Sequence, residues 1–286
     1  MKTYLYLLLA GAAAITTSCS NEDTPDAASS KNEVSFLCEY GTQSRVNDTS
    51  FDTDDEIGVY MTAKDATLQI GGNHLNNERF CYNGSAWTAT RKVYWDKGEY
   101  DVYAYYPYSS LVNDTEDHTF VLPTDQSTAE GFSSADFVWA SAKGVQASAS
   151  PVRLQFAHRM SKAVIKLEKS TDYEGEIPSD CKVSVLSTVT TASVDLSTGS
   201  VSKSSESTTE TIIAKKISNS EYQAIVVPQN IETRRPLIEV ETEGVSYLME
   251  GKMSFREGYA HTIVVTLSKN PSQTKIEIGG SIGGWD

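Results

Sequence analysis

Hydrophobic and polar positions alternate in short runs along nearly the whole chain. Val34-Ser35-Phe36-Leu37-Cys38 places every second side chain on one face, as a half-buried strand requires. The same period of two recurs in Glu56–Met61, Tyr100–Tyr105, Val152–Phe156, Ala163–Leu167 and Lys182–Leu186. It returns in Tyr222–Val227, Leu237–Val240 and His261–Leu267. Turn-forming residues separate the runs: Asn83-Gly84, Asp96-Lys97-Gly98, Ser197-Thr198-Gly199 and Glu257-Gly258. No stretch longer than a turn or two carries helical periodicity. Many short strands at regular spacing predict an all-β protein of the sandwich type.

Composition shifts mark the boundaries. Ala140 to Pro151 is rich in Ser and Ala and reads as a surface-wandering stretch, so a break is expected near Phe156-Ala157-His158. Ser202 to Thr211 is a low-complexity run and reads as an exposed loop. The expected organisation is a leader over residues 1–18, a tether over 19–33, and two tandem β-sandwich domains at 34–157 and 158–286.

The leader changes the cellular picture. Lys2 precedes an apolar run from Tyr4 to Ile15 that is shorter than the about 20 residues a spanning helix needs. Small residues then lead to Cys19, the position at which lipoprotein processing would cut and acylate. Thr16 stands where the usual signal has Leu. The plainer alternative is a cleaved secretory signal with an incidental Cys. One acyl chain binds a membrane marginally and several bind it lastingly, so the outer membrane is an expected partner through the lipid on Cys19. Residues 20–33 contain no apolar side chain larger than Ala and cannot offset their own ordering entropy. Glu22 and Asp23 resemble acidic surface-export signals, although any solvated linker would carry such residues.

The formal net charge is −14, and removing the leader with its single charge, Lys2, leaves −15. A domain so acidic repels phosphate backbones, which argues against a nucleic-acid partner. Cys38, Cys81 and Cys181 form an odd set without metal-binding spacing, open to one disulfide or to three free thiols. His74, His118, His158 and His261 fall in separate segments, and His158 reads as a hydrogen-bonded structural residue. Asp52–Glu56 offers oxygen ligands but no calcium loop, and a solvated acidic turn explains it. Tyr103 and Tyr105 share a strand face with Asp101, either exposed for stacking or buried in the core. No cofactor, metal site or catalytic constellation is expected, so the chain reads as a non-enzyme.

An ordered series of motifs carries a family resemblance. It begins with Val34-Ser35-Phe36, Ser44-Arg45-Val46, Ser50-Phe51 and Asp55–Met61, and continues with Tyr94-Trp95, Tyr103–Pro107 and Asp136–Ser141. Leu154–Lys162, Val226–Gln229, Phe255–Tyr259 and Ile282–Trp285 complete it. The chain resembles the fimbrillin family of Bacteroidales, over nearly its whole length. The resemblance implies two transthyretin-like sandwiches in a surface lipoprotein, with other pilin subunits as partners and a host or bacterial receptor beside them. It implies a structural or adhesive subunit of a type V pilus. In stalk subunits of that family, an arginine-specific protease removes the first strand and a neighbour's strand fills the groove. The matching cleavage position here is Arg45-Val46; the plainer alternative is an ordinary surface charge in a strand connection. The candidate donated strand is the carboxyl end, with Ile276, Ile278, Ile282 and Trp285, unless it closes its own domain. A non-polymerising surface lipoprotein that binds glycan or host protein is the alternative.

Overall fold

The computed structural model describes residues 32–41, 50–270 and 274–285. Strands dominate it, as the all-β expectation requires. The first are β1 (Phe36–Tyr40), β2 (Glu56–Ala63), β3 (Leu75–Tyr82), β4 (Trp87–Ala89), β5 (Glu99–Tyr106) and β6 (His118–Val121). A single-turn helix, α1 (Ala129–Ser133), starts where the Thr128 hydroxyl accepts from the Gly131 amide. After it come β7 (Val138–Gln146), β8 (Val152–His158), β9 (Ser161–Lys169), β10 (Lys182–Val189) and β11 (Thr191–Asp195). The short β12 (Ser200–Lys203), β13 (Thr209–Ile213) and β14 (Lys215–Lys216) lead into β15 (Glu221–Val226). The long hairpin β16 (Gln229–Thr242) and β17 (Val245–Phe255) is followed by β18 (Tyr259–Leu267) and β19 (Lys275–Gly284).

These strands form four sheets. A seven-stranded sheet runs β1-β8-β7-β5-β2-β3-β4, with β1 parallel to β8. The later strands make a four-stranded sheet, β13-β10-β16-β17, and a five-stranded one, β14-β15-β9-β18-β19. A three-stranded sheet, β12-β11-β6, joins β6 from the first half to β11 and β12 from the second.

β2 and β5 are buried on both faces, and this decides the tyrosine question. Tyr100, Val102 and Ala104 face one apolar cluster with Phe36, Phe80 and Phe156. Tyr103 and Tyr105 face another, with Phe137, Trp139, Val194, Ile225 and Trp285. Tyr103, Tyr105 and Asp101 are all buried, so this face offers no stacking platform. The Tyr105 hydroxyl donates to Asn77 Oδ1 at 2.8 Å, which satisfies the one polar atom its burial would otherwise orphan.

Two expectations are corrected. The Ser/Ala-rich stretch does not wander: most of it is β7, in register with β5 as Trp139–Tyr105, Ala140–Ala104 and Ser141–Tyr103. Its small side chains leave room for the bulky rings beside them, so packing overrides weak strand propensity. The low-complexity run is likewise a loop only between Lys203 and Thr209, because β12 and β13 take up its two ends. Among the described residues no helix is long and apolar enough to cross a membrane.

Candidate functional site

The segment around β1 is held on two sides by different parts of the chain. Its first residues pair with the link between β4 and β5: the Val34 amide donates to Val93 O at 2.8 Å and the Trp95 amide to Asn32 O at 3.0 Å. Its later residues lie along β8, with Phe36 opposite Val152 and Tyr40 opposite Phe156. The Val152 amide donates to Ser35 O at 2.9 Å, and Gly41 donates to Phe156 O at 3.0 Å. Residues 32–41 therefore close a gap that would otherwise expose the edge of β8.

The alternation in Val34–Tyr40 sends one set of side chains inward. Val34 and Phe36 are buried, while Cys38 and Tyr40 are partly buried against the same cluster. Phe36 meets Phe80, and Tyr40 meets Phe51 with ring centroids 4.8 Å apart. Phe51 in turn packs on Trp87 and Phe156. Burying side chains such as Val34 and Phe36 is worth about 1.5–3 kcal/mol each. The outward set is polar or exposed: Glu33 pairs with Lys92 at 3.2 Å and Glu39 with Arg153 at 3.5 Å. Such exposed pairs contribute little, so the strand is held by its inward face and its backbone bonds.

Cys19, Arg45 and Val46 lie outside the described residues. Gly41 and Ser50 flank the segment that carries Arg45. At the carboxyl end, β19 pairs antiparallel with β18, placing Ile276 opposite Val265, Ile278 opposite Ile263 and Ile282 opposite His261. Trp285 is buried, and its amide donates to Gly258 O at 2.8 Å. Its indole stacks on the His158 ring at 4.2 Å, with planes 6° apart. Tyr40 and Trp285 thus arrive at one place from opposite ends of the described chain. A cleft of about 350 Å³ opens there, lined by both rings together with Asp55, Tyr106, Phe132 and Asp136.

His158 organises this junction; the sequence marks it as a hydrogen-bonded residue at a strand end, inside the Leu154–Lys162 motif, but does not mark its ring partners. It is 3% exposed, and its Nδ1 lies 3.0 Å from Asp136 Oδ1. The other histidines are scattered: His74 Nε2 lies 3.1 Å from Tyr94 O, and His261 Nε2 accepts from the Arg256 amide. Burial lowers the pKa of His118 and His261 from the usual histidine range. Among the described residues no three His, Cys, Asp or Glu side chains are grouped to hold a metal ion. Cys38, Cys81 and Cys181 are unpaired thiols, each pushed up in pKa by burial.

Comparison with known proteins places this geometry. A family model described as fimbrillin-like matches residues 44–285. A Bacteroides ovatus protein named as a fimbrium tip subunit, Fim1C, is 30% identical over 145 residues, 44% of this chain. The match spans 26% of that relative's length, about a quarter of it. A crystal structure from Bacteroides ovatus, described as a cell adhesion protein, superposes with TM-score 0.71 at 21% identity, covering 90% of this chain and 98% of the other. One from Bacteroides uniformis, described in the same way, gives TM-score 0.68 at 20% identity over 89% and 98%. At such identities the two superpositions establish the fold alone.

Proposed function

The chain belongs to the fimbrillin-like family, and from that premise we propose that it is a structural and adhesive subunit of a cell-surface fimbria. It assembles by exchange of strands at the seat of β1. The observation that carries this reading is the construction of that seat. β1 lies at a sheet edge, its segment contributes Val34 and Phe36 to the core, and its outward side chains make exposed charge pairs. Cutting after Arg45 would detach it from the rest of the chain. Its withdrawal would leave an apolar trough against Phe80 and Phe156 and a row of unpaired groups on β8. An incoming strand with alternating apolar residues satisfies both.

Cys19 carries a lipid that delivers the subunit to the outer face of the outer membrane, and the cut at Arg45 discards that lipid together with β1. The carboxyl end, with Ile276, Ile278, Ile282 and Trp285, is the strand offered to a neighbour. Two tandem sandwiches, 34–157 and 158–286, are the units that stack along the fibre. Other pilin subunits are its partners, and no catalytic step is involved. The fimbrium tip relative supports an adhesive role at a fibre end as one version of this reading.

The test treats the purified mature chain with an arginine-specific protease, reads the new amino terminus and follows size. A terminus at Val46 with ladders or filaments is the expected result. A clean clipped monomer would overturn polymerisation and favour a monomeric surface protein that binds glycan or host protein. Mature protein from native membranes that still begins at Cys19 would remove the processing step.

A further inference from the structure

The His158 ring meets both Tyr40 and Trp285, tilted against the first and stacked on the second. The imidazole sits at the last position of β8 and is 3% exposed. One neighbour is the ring of Tyr40, the last residue of β1, with centroids 5.4 Å apart and planes 31° apart. Another is the Trp285 indole, nearly parallel at 4.2 Å. Asp136 fixes the imidazole plane through Nδ1. The Lys162 ammonium lies 5.3 Å from the indole centroid, so the indole is packed by groups from both β8 and β9. Trp285 is the last described residue and directly follows β19.

We propose that His158 is a latch between the two ends of the chain, so that withdrawal of β1 loosens β19 and Trp285. The inference rests on the strand-exchange reading, because it assigns a regulation to that same site. With Tyr40 in place, the imidazole is packed by that ring as well as by the indole and is held in plane by Asp136. When Tyr40 leaves with β1, the imidazole loses one of its packing partners, gains solvent and keeps only the Asp136 bond to orient it. Trp285 then stacks on a less firmly packed partner. The coupling is reciprocal, since loss of Trp285 must weaken the hold on Tyr40 by the same factor. A subunit built this way keeps its tail docked until its own groove is being emptied. His158 is a positioning residue here, acting through the rings it packs against.

Hydrogen exchange read by mass spectrometry on the uncut mature chain tests the latch. Tyr40→Ala and His158→Ala are each expected to speed exchange of the 275–285 amides about fivefold, the equivalent of one lost aromatic contact. Amides of β2 and β5 serve as the internal reference for overall stability. In the His158→Ala background, Tyr40→Ala should add nothing further, because the coupling element is already gone. Unchanged tail exchange in Tyr40→Ala, or an equal further increase in the double variant, would overturn the proposal. Tyr40→Leu, which keeps apolar bulk, replaces Tyr40→Ala if the latter does not fold. The uncut variants need no protease, so the two readings fail separately. A loosened tail in a chain that never polymerises after cleavage sinks the pilus reading and leaves the latch standing. Filaments from a chain whose tail ignores Tyr40 sink the latch alone.

Discussion

The rings of Phe36 and Phe80 meet edge to face, with centroids 4.9 Å apart and planes at 90°. Their strands lie far apart in sheet order, β1 at one edge and β3 next to the other. The contact therefore requires the seven-stranded sheet to curl until its two ends face each other. β1 is the seam at which that curl closes, and Phe36 is its aromatic plug at 5% exposure.

Phe36→Ala should accordingly be costly. Truncating a buried phenylalanine removes its transfer energy and leaves a cavity, together about 3–5 kcal/mol. Leu37, the next residue, points outward and is 39% exposed. Leu37→Ala should cost under about 1 kcal/mol. Urea unfolding of both variants checks the contrast, and comparable losses would mean that β1 is not seated as described.

Asp101 ties the turn after β2 and the bulge of β7 to β5 and makes them acid-sensitive. Burial alone would raise its carboxyl pKa, but the Gly144 and Asp65 amides, with the Lys143 ammonium, outweigh it and hold the pKa below the usual range. The Gly144 amide donates at 2.9 Å and the Asp65 amide at 3.3 Å. Asp65 holds a positive φ of 60°, so the carboxylate pins backbone that would otherwise relax, while Gly144 takes its φ of 62° at no steric cost. A depressed folded pKa gives stability that is fully present above the unfolded value of about 3.9 and is lost as pH falls through the folded one. Asp101→Asn should cost about 1–2 kcal/mol at pH 7. The gap to the parent chain should close below about pH 4 in denaturation curves recorded across that range. A gap that stays constant to pH 3 would contradict the ionic account.

Trp139 and Gly199 depend on each other across the two halves of the chain. The indole Nε1 donates to Leu196 O at 2.8 Å, and the turn carrying Gly199 lies flat on the ring. Gly199 has φ +74°, and a Cβ there would stand 2.5 Å from the indole Cδ2. Gly199→Ala adds a left-handed penalty to an overpacked contact, together about 2–4 kcal/mol. Calorimetry should register the loss as a lowered Tm. A shift under 1 °C would show that this turn moves freely off Trp139.

Much of this fold could be read from alternation, and its failures have a common cause. Val34-Ser35-Phe36 and Val152–Phe156 each announce one buried and one exposed face, and the two strands do pair that way. The tyrosine run from Tyr100 to Tyr105 left two readings open because β5 is buried on both sides, where a period of two carries no directional information. β7 was hidden because Ala and Ser describe the space its neighbours leave rather than its own preference. The pairing of β6 with β11, some seventy positions apart, has no local signal at all. The junction at His158 is of the same kind: Tyr40, Asp136 and Trp285 converge on it from three separate segments. Strand identity is local, and convergence is not.

Cys38 offers a direct readout of whether β1 stays seated. It lies on β1 between Phe36 and Tyr40, packs against the first-half core, and its thiol pKa is pushed well above the usual thiol value by burial. A thiol reacts as its thiolate, so both burial and the raised pKa slow it. With Cys81 and Cys181 replaced by Ser, maleimide labelling of Cys38 at pH 8 should be at least about tenfold slower than that of a small free thiol. Phe36→Ala weakens the inward grip of the strand and should accelerate labelling without any cut. Arginine-specific cleavage should then move the label into a released fragment that contains Cys38. Fast labelling of the intact chain would mean that the first strand leaves its seat spontaneously, and a groove that opens by itself would need no protease to license assembly.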